Sequence, residues 1–537
     1  MEEAAPFIRG DSRELESLIN RMKTLKGLYP AKRLRSFPFG DSINTGLPSL
    51  PRLSFLPPRY LVEQLVDNYL HTFERSYPLL DSAGFKRELS SFWNQPDAIE
   101  DGWLALLYMV LALSCYASPS IWFLEVPGGY LGLAKRCIDG AEAAFLMRGM
   151  FMTKPDLTSL RVLCLLSIGK LLDIITLDDS DGSWVFMGFV MRVGMSMCLH
   201  IGPASFPTMP AKEAVARRRI WNTLMLLDST TALDSGMPLL LRPEDYDSTA
   251  FLRSNCRLSE EIPADRLVDE NYQNLLADAA PIVAFIINKA NSTSPRFGRN
   301  QILEYDDKIR HLLRKVEGCI TSQRTVLEVL LHRCILAIHQ SCSLNPGVGH
   351  CDEVDHCRRI LHDSALGLLQ LQSSLHDDPS HHWLSGLFVR DFGVAGLYVC
   401  DGLRNNTFLD TLKGQHSKYS AFSALKRLQT ILKANLHHSR HYYKMYKAYA
   451  ALISGLEALA AGSSIRDALY KAGLDIIAAV EECMGPRAED DSSNLATLVD
   501  PLLQLDPIVN ANFDFDGIDF VSAPKLSLLA LIHANIF

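Results

Sequence analysis

Metal-binding side chains are densest at His350, Cys351, His356, Cys357 and His362, five within thirteen residues. Structural zinc takes its cysteines in close pairs, about two to four residues apart. Here the two cysteines are six positions apart, with Asp352, Glu353 and Asp355 between them. Cys357 and His362 do not share a helix face well, so the segment reads as a surface helix start with a core cysteine. His381-His382 and His437-His438 are sequence neighbours, which point in different directions on a helix. Asp178, Asp179 and Asp181 miss the Asp-Asp-x-x-Asp metal pattern because Gly182 and Ser183 follow. A loop capping the next helix accounts for them. Gly169-Lys170 has Cys164 where a phosphate loop needs glycine and Leu171 where it needs a hydroxyl. No HExxH, GxSxG or GxGxxG occurs. The expectation is no catalytic set, no metal and no cofactor.

The elements that would have to position a site are helices. Tyr60, Leu61, Leu65, Tyr69, Phe73 and Tyr77 trace one helical face running to Pro78. The same style recurs at 131–149, 157–175, 183–199 and 212–234. It continues at 265–293, 300–343, 352–376, 383–404, 418–437, 441–461 and 463–484. No useful β-alternation appears, so the fold class is all-α. It is a large multi-helix regulatory domain with a short N-terminal amphipathic helix and a partly disordered C-terminal tail. The expected organisation is an amphipathic segment (1–29), a Pro/Gly-containing linker (30–58), a central domain (59–260), a continuing helical region (261–486) and an acidic–hydrophobic tail (487–537). Leu15, Leu18, Met22, Leu25 and Tyr29 form a short a/d seam that either packs on the main domain or ends a dimerisation helix. Lys32, Arg33 and Arg35 read as part of a solvated linker, with a nuclear-import patch as the other reading. In the tail, Phe513, Phe515, Ile518 and Phe520 alternate with aspartates. That is the composition of an activation segment, and a tail packed on the domain is the plainer reading.

The 537 residues are 48% hydrophobic and 21% charged, ordinary for a globular chain. With 61 acidic and 53 basic side chains the net charge is −8. That excludes a protein that grips DNA with its whole surface, because phosphate contacts need a basic excess. The 12 cysteines are scattered, many in apolar segments, and suggest a reducing compartment. MEEAAPFIRG lacks the apolar core of a secretory signal, and the sequons at Asn291 and Asn405 are then chance matches. Trp103 to Leu124 has no charge over 22 residues. The break at Ser118-Pro119-Ser120 favours a buried helix over a membrane span.

Arg217-Arg218-Arg219 is the densest basic run, and a family resemblance is strongest there. Residues 214–247, AVARRRIWNTLMLLDSTTALDSGMPLLLRPEDYD, resemble the middle homology region of fungal zinc-cluster (Zn2Cys6) transcription factors. Arg217, Arg218, Arg219 and Trp221 match its opening, and Asp228, Gly236, Pro238, Asp245 and Asp247 match the rest. The departures are Asn222 for a second aromatic, Ser229 for an arginine, and Met237 for the arginine of Gly-Arg-Pro. Upstream, Trp184, Gly188, Arg192, Leu199 and His200 are similar to the family's helix ending in Gly-Leu-His, with Cys198 replacing the glycine. Arg192 and His200, eight apart, would lie roughly on one helix face. Tyr69, Phe73, Tyr77, Pro78, Leu79, Leu80 and Phe85 resemble its opening helix.

These residues read as structural, with the arginine run pairing carboxylates such as Asp228 or Asp245. The resemblance implies a nuclear transcription regulator of a metabolic or biosynthetic gene set, such as secondary metabolism. Its partners would be a second copy or a related chain, the transcription machinery and a small-molecule effector, with no membrane. In the family, DNA is read by an N-terminal cluster in which six cysteines hold two zinc ions. The first cysteine here is Cys115. DNA contact is therefore expected from a missing zinc cluster or a partner. The alternative is a metabolite-binding or enzymatic helical protein of a biosynthetic pathway.

Overall fold

The computed structural model describes residues 53–148, 154–173, 182–247, 264–293, 297–343, 351–408 and 417–484, together with Leu18, Arg21, Met22, Leu25, Arg35, 37–39 and Ile175. Among the described residues there is no strand, and the chain is all-α as expected. Leu15, Tyr29, Lys32, Arg33, Asp178, Asp179, Asp181, His350, Phe513, Phe515, Ile518 and Phe520 lie outside the described set. The chain divides into two units, Arg33–Phe392 and Met1–Lys32 with Gly393–Phe537.

In the larger unit the helices are α1 (Arg59–His71), α2 (Phe73–Ser76), α3 (Ser82–Asn94), α4 (Asp101–Tyr116), α5 (Gly129–Arg148), α6 (Leu157–Leu171), α7 (Gly182–Ser196), α8 (Ala211–Ser235), α9 (Ala264–Ala290), α10 (Arg299–Val316), α11 (Thr321–Ser343), α12 (Cys351–Asp377) and α13 (His382–Leu387). The charge-free stretch is α-helical only to Tyr116, and beyond it Ile121 and Leu124 are exposed. Its helix, α4, is buried at every position from Gly102 to Cys115 against α1, α5 and α6. A helix apolar all round must be enclosed in this way. Among the described residues no helix is long and apolar enough to cross a membrane. α5 reaches α4 at Gly140, where a Cβ would sit 2.8 Å from the Tyr108 ring. The expected 300–343 helix is two, α10 and α11, turning at Gly318-Cys319 so that their apolar faces pack on each other. Periodicity runs on through such a break because a lone glycine barely interrupts it. The first face likewise stops at His71, with α2 beyond Thr72, and Tyr60 is exposed.

Arg35 is not solvated. Its guanidinium is 10% exposed and pairs with Asp139 at 2.6 Å and Glu142 at 2.8 Å, both on α5. In the smaller unit α14 (Val389–Arg404), from Gly393 onward, meets α16 (Arg440–Ala461), where the Tyr449 hydroxyl donates to Gly393 O. α16 packs on α15 (Lys418–Ala434) and on α17 (Ile465–Met484). Leu18, Met22 and Leu25 are buried there, with Tyr443 Oη donating to Met22 O at 2.9 Å and Leu18 against Gly473. The described residues of the N-terminal seam are thus consumed by packing within this unit.

One buried ionic centre crosses the larger unit. Arg333 on α11 lies 2.9 Å from Asp391 and 3.9 Å from Asp234, all 5–6% exposed. Burial, opposed by Arg333, raises the Asp391 carboxyl. Arg333→Met would take the close ion pair from the buried Asp391 carboxylate, and we expect a loss of about 3 kcal/mol in urea unfolding at neutral pH. The loss should shrink at acid pH, where protonation removes the uncompensated charge.

Candidate functional site

The residues after α2, Tyr77 to Leu80, have no helical neighbours to satisfy their backbone, yet they lie in the core. Buried N–H and C=O groups must find partners. Glu74, fully buried, accepts from Leu79 N at 3.0 Å and Leu80 N at 2.8 Å. Arg161 Nε on α6 donates to Leu79 O at 2.8 Å, and Thr223 Oγ1 on α8 to Pro78 O at 3.4 Å. Tyr272 Oη on α9 donates to Ser76 O at 2.8 Å, and Gln323 Nε2 on α11 to Arg75 O at 3.0 Å. Gln323 also reaches Asp269 at 2.9 Å, which pairs with Arg75 at 3.1 Å. Helices α6, α8, α9 and α11 thus converge on the segment 74–80. Burial pushes the Glu74 carboxyl up to about 8, against the lowering effect of the Leu80 and Leu79 N–H groups, Arg219 and Arg161.

The arginine run opens α8. Arg217 donates to Glu213 at 3.1 Å and to Met197 O at 2.8 Å. Arg218 is half-buried, and Arg219 faces Glu74 electrostatically. Trp221 is fully buried, with its ring 6.4 Å from His200 and 6.3 Å from Tyr246. The expected pairing of this run with Asp228 or Asp245 is not what forms. Arg217 and Asp228 are eleven residues apart on one helix, about 16 Å at ~1.5 Å per residue. Asp228 instead accepts from Leu240 N–H, and burial raises its carboxyl to about 7. Asp245 accepts from Arg242 N at 2.8 Å. Asn222, where the family has an aromatic, donates to Gln273 Oε1 at 2.8 Å, so a buried amide pair joins α8 to α9.

α8 ends at Gly236, φ 62°, and the loop beyond it is tied down on several sides. Trp184 Nε1 donates to Pro238 O at 3.0 Å, and Asn291 Nδ2 to Met237 O at 2.7 Å. Leu239 N donates to Asn288 Oδ1 at 2.9 Å. Met237 itself is exposed. Arg192 is exposed too, donating to Gly188 O of its own helix at 3.2 Å, and takes no part in this assembly. It does not share a helix face with His200, because α7 stops at Ser196. Cys198 has φ 59°, the left-handed conformation that favours glycine, and it turns the chain so that His200 O accepts from Asp247 N at 2.9 Å. Sequence reasoning missed Glu74, Arg161, Gln273, Asn288, Asn291 and Gln323. Their signal was polarity on otherwise apolar helix faces, or, for Asn291, a place just past the end of α9.

The assembly brings Trp184, His200, Arg217, Arg219, Trp221, Asp228, Gly236, Pro238, Asp245 and Asp247 into one interlocked region. Its raised carboxyls belong to buried groups bonded to backbone, which positions helices. Among the described residues no group of three His, Cys, Asp or Glu side chains could hold a metal ion.

Residues 66–256 match the fungal specific transcription factor domain. The chain is similar to the transcription factor opdR of Penicillium oxalicum, 27% identical over 320 residues, covering 57% of this chain and 38% of that protein. It is also similar to the equisetin cluster transcription factor eqxF of Fusarium heterosporum, 22% identical over 445 residues, covering 75% and 62%. A third relative is the fusarisetin A cluster transcription factor fsa6 of a Fusarium species, 22% identical over 456 residues, covering 76% and 59%. The chain spans less than two thirds of the length of each. Among solved structures, that of the K. lactis CBF3 core matches with a TM-score of 0.49 at 10% identity, over 87% of this chain and 96% of that chain.

Two measurements test the geometry. A carboxyl raised from 4.5 to about 8 binds a proton in the folded state that the unfolded state releases. Its contribution to stability is therefore present at acid pH and declines as pH rises through that window, by up to about 1.4 kcal/mol per pH unit. In Glu74→Gln, unfolding free energy should vary less steeply between about pH 5.5 and about pH 7.5. Cys198→Gly should relieve the left-handed strain and stabilise by about 0.5–1 kcal/mol in thermal melts.

Proposed function

We propose that this chain, which carries a fungal specific transcription factor domain at residues 66–256, is a transcription regulator of a biosynthetic gene cluster acting in the nucleus. The observation that carries the reading is where the family match falls. It spans the 74–80 segment, two of the four helices that hold it (α6 and α8) and the interlocked loop after α8, so the matched stretch contains every motif residue from Tyr69 to Asp247. Relatives named for the equisetin and fusarisetin A clusters support secondary metabolism as the regulated process. The central domain at 59–260 and the helical region to 486 serve as the regulatory scaffold. The tail with Phe513, Phe515, Ile518 and Phe520 serves as its activation segment.

With a net charge of −8 the chain is poorly suited to hold DNA by its own surface. A zinc cluster supplied outside these residues, or by a dimer partner, makes the contact in this reading. Leu18, Met22 and Leu25 are already buried, so dimerisation uses another surface. Deleting the gene should lower transcripts of a neighbouring biosynthetic cluster many-fold, read by RNA sequencing under producing conditions. An unchanged transcriptome would sink the proposal. A fluorescent fusion should concentrate in nuclei, and the chain alone should not shift promoter DNA at physiological salt.

A further inference from the structure

A cleft of about 390 Å³ opens in the larger unit at the N-terminal end of α11. That volume falls in the range of small-molecule sites, about 300–1,000 Å³. α11 is 23 residues long and starts at Thr321, directly after Ile320, whose side chain cannot cap it. The first-turn N–H groups of a helix point out of that end, and its dipole favours an anion there. Thr321 and Ser322 line the cleft. Ser322 is only 5% exposed, and among the described residues no protein group hydrogen-bonds its hydroxyl. The hydroxyl is left for whatever fills the cleft.

Two imidazoles line the same cleft with one nitrogen committed. His71 Nδ1 lies 2.7 Å from Asp67 O, and His381 Nδ1 lies 2.7 Å from Asp378 Oδ2. A carbonyl and a carboxylate can only accept, so each Nδ1 carries a hydrogen and each Nε2 is left to meet a ligand. Trp122 and Trp383 supply flat apolar walls, the latter buried against Phe73 with ring centroids 4.2 Å apart. The site is held in advance of any ligand, because Gln323 in the first turn of α11 is bonded to Arg75 O and Asp269.

We propose that this cleft binds a hydroxylated aromatic carboxylic acid. The carboxylate takes the free N–H groups of α11 and the Ser322 hydroxyl. The ligand's hydroxyl shares a hydrogen bond with a histidine Nε2, and its ring lies against the tryptophans. This goes beyond the reading as a regulator, and binding is measurable on the purified chain whatever its role in transcription. Residues 68–72 of the site lie within the matched domain and residues 320–322 and 379–383 beyond it, so the ligand bridges the two stretches.

The test is calorimetric titration of the full chain with 6-hydroxy-2-naphthoate, its methyl ester and 2-naphthoate. The acid should bind saturably, one per chain. Loss of a charge-assisted hydrogen bond corresponds to about tenfold or more in affinity, which the ester should show. Loss of a neutral one corresponds to about fivefold, expected for 2-naphthoate. His71→Ala/His381→Ala should weaken the hydroxy acid by a similar factor while leaving the ligand-free melting curve in place. Trp122→Ala, at a half-exposed position, provides a second variant if the histidine pair proves necessary for folding. No saturable binding by the unmodified chain, equal affinity for acid and ester, or undiminished binding in the variants would overturn the proposal.

Discussion

Glu74 lies where a carboxylate is least comfortable, and the arrangement of the larger unit depends on it. The chain leaves α1, makes one short turn of helix and then runs through Tyr-Pro-Leu-Leu inside the core. A buried backbone without secondary structure must borrow its partners. Glu74 supplies acceptors to Leu79 and Leu80, and Arg161, Thr223, Tyr272 and Gln323 supply donors to the carbonyls. Each donor comes from a different helix, so each helix is placed in register with the same few residues. Desolvation of Glu74 is the cost, visible in its raised pKa.

The other buried polar groups follow the same logic. Arg333 between Asp391 and Asp234, Asp228 on the Leu240 N–H, and Asn222 on Gln273 each join separate elements. Such groups specify an arrangement more reliably than they stabilise it, because a mispacked alternative leaves them unpaired. This also accounts for positions where the chain departs from the resembling family. Asn222 found Gln273 across the helix interface, Met237 faces solvent, and Cys198 holds a backbone shape without the residue best suited to it.

Gln323 belongs to this framework and stands beside the cleft at the start of α11. It fixes the helix end that presents free N–H groups, and it does so by holding Arg75 O and Asp269. A ligand seated there touches a framework that reaches into the matched transcription factor domain through α1 and α2. Rigid surroundings of this kind lower the ordering cost of binding.

Apolar periodicity is a local property, so the all-α class and most helix positions could be read directly. So could the ordered motif blocks, of which Arg217 to Asp247 is the strongest. The breaks at Gly318-Cys319 and Phe388 could not, because the helical period continues through them and only folding back against a neighbour decides the turn. The partners of the motif residues were equally out of reach. Asp228 was expected to meet an arginine of its own helix and met the backbone of the following loop, while Arg219 came to face Glu74, well over a hundred residues earlier. Residue type and spacing determined that α8 would carry an arginine run, a buried tryptophan and a buried aspartate. Which groups those side chains satisfy was set by the three-dimensional packing, since a buried charge takes its partner from whatever the core brings within about 3 Å.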